Sequence, residues 1–124
     1  MKLSLLLNLQ LSYLILGILY NILSFYMKAY RGRALSFTSS LSGIIAMLTY
    51  GLCLTTGFLQ YHNVYRFLMG ISVIILGYSG IIVHILNYSK PNLYYSRRAW
   101  IFAILINLFG VVLNLIATLD KYTI

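Results

Sequence analysis

Polar and apolar positions in this chain follow neither the two-residue alternation of a half-buried strand nor the narrow stripe of a surface helix. Four long apolar runs, Leu3–Met27, Leu41–Leu59, Phe67–Leu86 and Ala99–Leu119, contain no Asp, Glu, Lys or Arg. Each has about the 20 residues that a helix needs to cross a hydrocarbon core. Strands of a membrane barrel would be shorter and would alternate lipid-facing with lumen-facing positions. The pattern therefore predicts an all-α integral membrane protein, a single domain of four transmembrane helices in a compact antiparallel bundle.

The intervals between the runs hold the turn and charge signals: Lys28–Arg33, Gln60–Arg66, and Asn87–Arg98 with the only proline, Pro91. Ser36, Thr38, Ser39, Ser40 and Ser42 precede or open the second run, where hydroxyls can cap free N–H groups; Ser96 is placed to do the same for the fourth. Tyr26, Tyr30, Tyr61, Tyr65, Tyr88, Tyr94, Tyr95 and Trp100 crowd the borders, as an interfacial aromatic belt requires.

Composition agrees with a bilayer as solvent. The chain is 61% hydrophobic and 8% charged, against about 25% charged in soluble domains. A water-soluble fold of this length could not bury so much apolar surface. The net charge of +8 sits in short loops without interleaved aromatics in a groove, so nucleic acid is not an expected partner. Topology and contact with anionic lipid explain it better. Cys53, the lone cysteine, excludes an internal disulfide and fits a small buried hydrophobe.

Loops one and three carry Lys28, Arg31, Arg33, Lys90, Arg97 and Arg98, whereas the other side carries Lys2, Arg66 and Lys121. The positive-inside rule then places those two loops in the cytoplasm or its organellar equivalent, with both termini outside. The first run is too long for a signal-peptide h-region and lacks a small-residue cleavage site, so it is expected to be a retained helix. Tyr30 to Phe37 and Tyr95 to Phe102 share the pattern Y-x-x-R-A-x-x-F. Duplication of a helical hairpin would account for the echo, giving two tandem parallel repeats; basic, aromatic borders also look alike by chance.

Leucine gains nothing by leaving lipid, so small and hydrogen-bonding side chains should mark the packed faces. The first helix aligns Gln10, Gly17, Asn21 and Ser24; the second, Gly43 and Gly57 with Tyr50 between. The third aligns Gly70, Gly77 and His84 with Gly80 adjacent; the fourth, Ala103, Asn107, Gly110, Asn114 and Ala117. Spacing near 3.5 favours crossings of about +20°.

Few residues offer chemistry. His84 is the candidate cofactor ligand, for haem, quinone or a proton relay, although a histidine bonded to a backbone group is the commoner case. His62 lies in the opposite loop, across about 30 Å of helix, and Cys53 forms no ligand spacing with either, so no metal site is expected. Asn21, Asn107 and Asn114 suit a polar pathway or, more commonly, interhelical hydrogen bonds. The loop arginines suit phosphate, a partner's acidic edge, or lipid headgroups. Asn87-Tyr88-Ser89 fits a glycosylation sequon but falls in a loop assigned inside. The one acidic residue, Asp120, lies outside every run, so no Ser/His/acid set exists and no membrane-embedded carboxylate is present for ion coupling.

The expectation is thus a non-catalytic accessory or assembly subunit of a larger membrane complex, of respiratory, photosynthetic or other oxidoreductase type. Its partners would be other membrane subunits and anionic lipids, with pigment, haem or quinone held at its edges. Alternatives are a small oligomeric transporter or channel for a neutral or anionic solute, and a haem- or quinone-binding anchor centred on His84. Small multidrug-type carriers are similar in length and helix count, but their membrane-embedded Glu has no counterpart here.

Overall fold

The computed structural model describes residues 1–124. Four helices are long and apolar enough to span a membrane: α1 (Leu3–Arg31), α2 (Ser40–Phe58), α3 (His62–Leu86) and α4 (Arg97–Thr118). The chain is a four-helix, multi-pass membrane protein. α1 is the longest at 29 residues, about 43 Å, which exceeds a hydrocarbon core of about 30 Å. Its last turn carries Lys28 and Arg31, near the negative end of the helix dipole.

Three helix ends have identifiable causes. Gly32 stops α1 with φ 73°, a left-handed conformation open to glycine, and its N–H returns to the Lys28 carbonyl. Ser39 caps α2 by accepting from Ser42 N, and Ser96 caps α4 by accepting from Ala99 N at 3.1 Å. The second loop is shorter than the hydropathy pattern predicts, because α3 begins at His62 and takes Arg66 into its second turn. Apolar content reports where hydrocarbon starts; the helix itself continues into the polar interface.

Inside α3, Tyr78–Ile82 form a π turn. A π turn accommodates one residue more than an α turn and rotates the following stretch relative to the preceding one. His84, beyond the turn, is therefore not in the constant-spacing register of Gly70 and Gly77, which precede it. Gly80 and His84 are buried, whereas a side chain at Gly77 would meet nothing within 4 Å. Gly77 is not a packing residue, and Gly70 makes only ordinary contact with Thr118.

Packing is most extensive within α1–α2 and within α3–α4, and α1–α4 and α2–α3 contacts close the ring. The bundle is thus two antiparallel hairpins side by side. The Y-x-x-R-A-x-x-F echo does not mark equivalent places in them: Tyr30 is helical and Phe37 lies in a loop, whereas Tyr95 precedes the α4 cap and Phe102 is helical. At the end carrying both termini, Leu3 N donates to Thr123 O and Thr123 N to Met1 O, both at 2.8 Å, clasping the tail to the first residues.

Candidate functional site

The hydrogen-bonding side chains of the spans turn inward and meet in layers. Nearest the termini, Gln10 from α1 is the hub. Its Nε2 donates to Asn114 Oδ1 of α4 at 3.0 Å and to Met69 Sδ of α3 at 3.3 Å, while its Oε1 accepts from Tyr65 OH at 2.5 Å. Tyr50 of α2 donates to the same Asn114 Oδ1 at 2.6 Å. All four helices are therefore tied through two side-chain amides. Gln10, Asn114, Tyr13, Tyr65 and Met69 have 0% exposure, so this layer is closed to water. Asn114 Nδ2 has no partner, and an unmet donor there costs about 1–3 kcal/mol.

One layer further, Tyr13 OH donates to Asn107 Oδ1 at 3.3 Å and its ring stands edge-on to Tyr50, 5.2 Å between centroids. Asn107 Nδ2 donates back to Ala103 O at 2.8 Å. Glycines admit these large groups: the Cα of Gly110 faces the Tyr13 ring, Gly80 faces Asn107, Gly43 faces the Asn21 amide, Gly17 faces Met47, and Gly57 faces Leu7 and Tyr65. Asn21 itself donates to Gly17 O at 2.8 Å. Of the small-residue stripes, Gly17, Gly57, Gly80, Ala103, Gly110 and Ala117 are buried with Gln10, Ser24, Tyr50 and Asn114.

At the opposite end loops one and three form one cap. Arg33 donates to the carbonyls of Asn92 and Tyr94 at 2.8 and 2.6 Å, Tyr95 N donates to Leu35 O at 3.0 Å, and Leu35 N donates to Ser24 Oγ at 3.0 Å. Tyr94 OH lies 2.7 Å from His84 Nδ1, and Trp100 Nε1 donates to the His84 carbonyl at 2.7 Å. Phe37 meets both the His84 and Tyr94 rings edge-on. Burial pushes the Tyr94 phenol above its ordinary range.

Two tyrosines assigned to the interfacial belt are core residues instead. Tyr65 is 0% and Tyr94 1% exposed; each sits near a helix end but points back into the bundle, where its OH finds a partner. Tyr26, Tyr30, Tyr61, Tyr88 and Tyr95 do face outward. Tyr13 and Met69 carry no sequence signal beyond apolarity, yet both belong to the central layers.

His84 has only a small space beside it. The adjoining cavity, shared with Tyr20, Asn21, Ser36, Thr38 and Asn107, measures about 70 Å³, below the ~300–1,000 Å³ of ordinary small-molecule sites. His62 opens α3 about 33 Å away along the helix. Nowhere do three His, Cys, Asp or Glu side chains gather as metal ligands would.

The basic residues divide in use. Arg97 stacks over Tyr88 and Trp100, 4.6 and 5.1 Å from their centroids, and donates to Tyr88 O at 3.1 Å. Arg66 donates to Thr118 O and lies 3.4 Å from Asp120 Oδ2 in an exposed ion pair, worth about 0–1 kcal/mol. Lys28, Arg31, Lys90 and Arg98 are exposed. No protein family, curated protein or solved structure matches the chain.

Proposed function

We propose that the protein is a non-catalytic structural subunit that adheres to other membrane proteins within a larger complex. The observation carrying this reading is the direction of its polar side chains. Gln10, Tyr13, Tyr50, Tyr65, Asn107 and Asn114 join in one hydrogen-bonded set, and the outer faces are mainly apolar, with hydroxyls such as Ser12, Thr49 and Ser79 bonded to their own helix. Ile15, Leu19, Leu52, Phe67, Ile74 and Leu105 are each more than half exposed, and such faces suit lipid and neighbouring helices equally.

Two features weigh against the alternatives. A solute pathway along the asparagines would cross the layer at Gln10 and Asn114, which has no water-accessible surface. A haem or quinone at His84 would need more room than the space of about 70 Å³ beside the ring. Supporting the subunit reading further, no carboxylate lies within a span to couple ions.

Purification of the tagged protein from its native membrane in mild detergent, followed by native mass measurement, tests the proposal. Unrelated membrane subunits in fixed stoichiometry are the expected result, and a homodimer alone contradicts it. The basic cap formed by loops one and three is assigned to the cytoplasmic side, with both termini opposite. A cysteine at Asn92 in a Cys53→Ala background should then resist an impermeant maleimide in intact cells and react after permeabilisation. Rapid labelling of intact cells would reverse the orientation.

A further inference from the structure

A cleft of about 910 Å³ opens between the end of α1, the loop into α2 and the tip of loop three. Lys28, Arg33, Ser39 and Ser40 line it together with Phe25 and Leu41. We propose that this cleft is a discrete binding site for one anionic phospholipid, distinct from diffuse attraction to a charged leaflet.

Three properties carry the proposal. First, the charge is uncompensated. The Lys28 side chain makes no hydrogen bond or ion pair, and no acidic residue lies in the first turn of α2, whose positive end adjoins the cleft. The only carboxylate side chain of the chain, Asp120, is held by Arg66 at the other end of the bundle. Second, Arg33 is preorganised. One of its terminal nitrogens is fixed by the Asn92 and Tyr94 carbonyls, which leaves its other donors for a phosphate oxygen. Third, the lining changes character along its length. Phe25 and Leu41 are 65% and 67% exposed, giving an acyl chain an apolar path beside the cationic end. That combination of phosphate-binding and lipid-like surface, placed where α1 and α2 leave the membrane, fits a glycerophospholipid better than a soluble anion. The site does not depend on whether the protein has a protein partner.

The test uses the full-length protein, delipidated in neutral detergent and then offered phosphatidylglycerol or phosphatidylcholine in mixed micelles. Native mass measurement should show one phosphatidylglycerol retained per chain and phosphatidylcholine retained much less. Lys28→Gln, which disturbs no internal contact, should weaken retention about fivefold. Arg98→Gln, a charge change outside the cleft, should leave it unaltered. Thermal unfolding in detergent confirms that both variants remain folded. Equal loss in the two variants, equal retention of the two lipids, or displacement of the lipid by millimolar inorganic phosphate or a phosphoserine peptide would overturn the proposal.

Discussion

Replacing Gln10 with leucine should lower the stability of the bundle by about 2–4 kcal/mol, seen as an earlier thermal transition in detergent. The substitution removes three hydrogen bonds at once, to Asn114, Met69 and Tyr65. It leaves the Tyr65 hydroxyl with no acceptor in a layer closed to water. A single interhelical hydrogen bond contributes only about 0.6–2 kcal/mol; the stranded phenol makes the total larger. Tyr65→Phe together with Gln10→Leu removes both partners and should recover part of the loss. A double variant no more stable than Gln10→Leu alone would show that the effect arises from shape and not from the unmet hydroxyl.

The second large effect is expected at Gly110. A Cβ placed there would stand 2.5–2.6 Å from three atoms of the Tyr13 ring. That ring cannot swing away without losing its contact with Tyr50 and its bond to Asn107. Gly110→Leu should therefore force α1 and α4 apart and cost at least the ~1–3 kcal/mol typical of overpacking. Gly77→Leu is the matched comparison, since nothing lies within 4 Å of its added carbon; it should change stability by no more than about 0.5 kcal/mol. Both glycines lie within spans and both receive the same side chain, so the difference between them isolates packing. Thermal unfolding of the two variants side by side reads it.

Part of this architecture was legible in the residues. Uncharged runs located the spans because a charge at membrane depth is costly. Small and amide side chains at helical spacing located most of the inward face, Gln10, Gly17, Ala103, Gly110 and Asn114 among them. The stripe failed at Gly77 because the inward line of that stretch runs through Tyr65, Met69 and Leu76, large side chains that do not stand out among apolar neighbours. Tyr65 and Tyr94 escaped because tyrosine near a helix end serves an interface and a core equally well, and only the fold chooses between them. Arg66 and Asp120, far apart in sequence, meet because the end of α4 returns to the start of α3. The docking of loop one on loop three through Arg33 and Leu35 is likewise a long-range event. His84 was expected at the interface on a backbone partner; it is buried and pairs with the Tyr94 hydroxyl, a loop residue whose position only the fold sets.

As proposed, Gln10, Asn107 and Asn114 hold helices together and do not line a route. Asn107 decides between the two most directly, since it lies midway along α4, accepts from Tyr13 and packs on Gly80. Asn107→Leu in cells should reduce the amount of assembled protein and its co-purifying subunits, and reconstituted vesicles should show the same solute leak with wild-type protein, variant or none. Unchanged abundance and assembly with an altered flux across those vesicles would contradict the account.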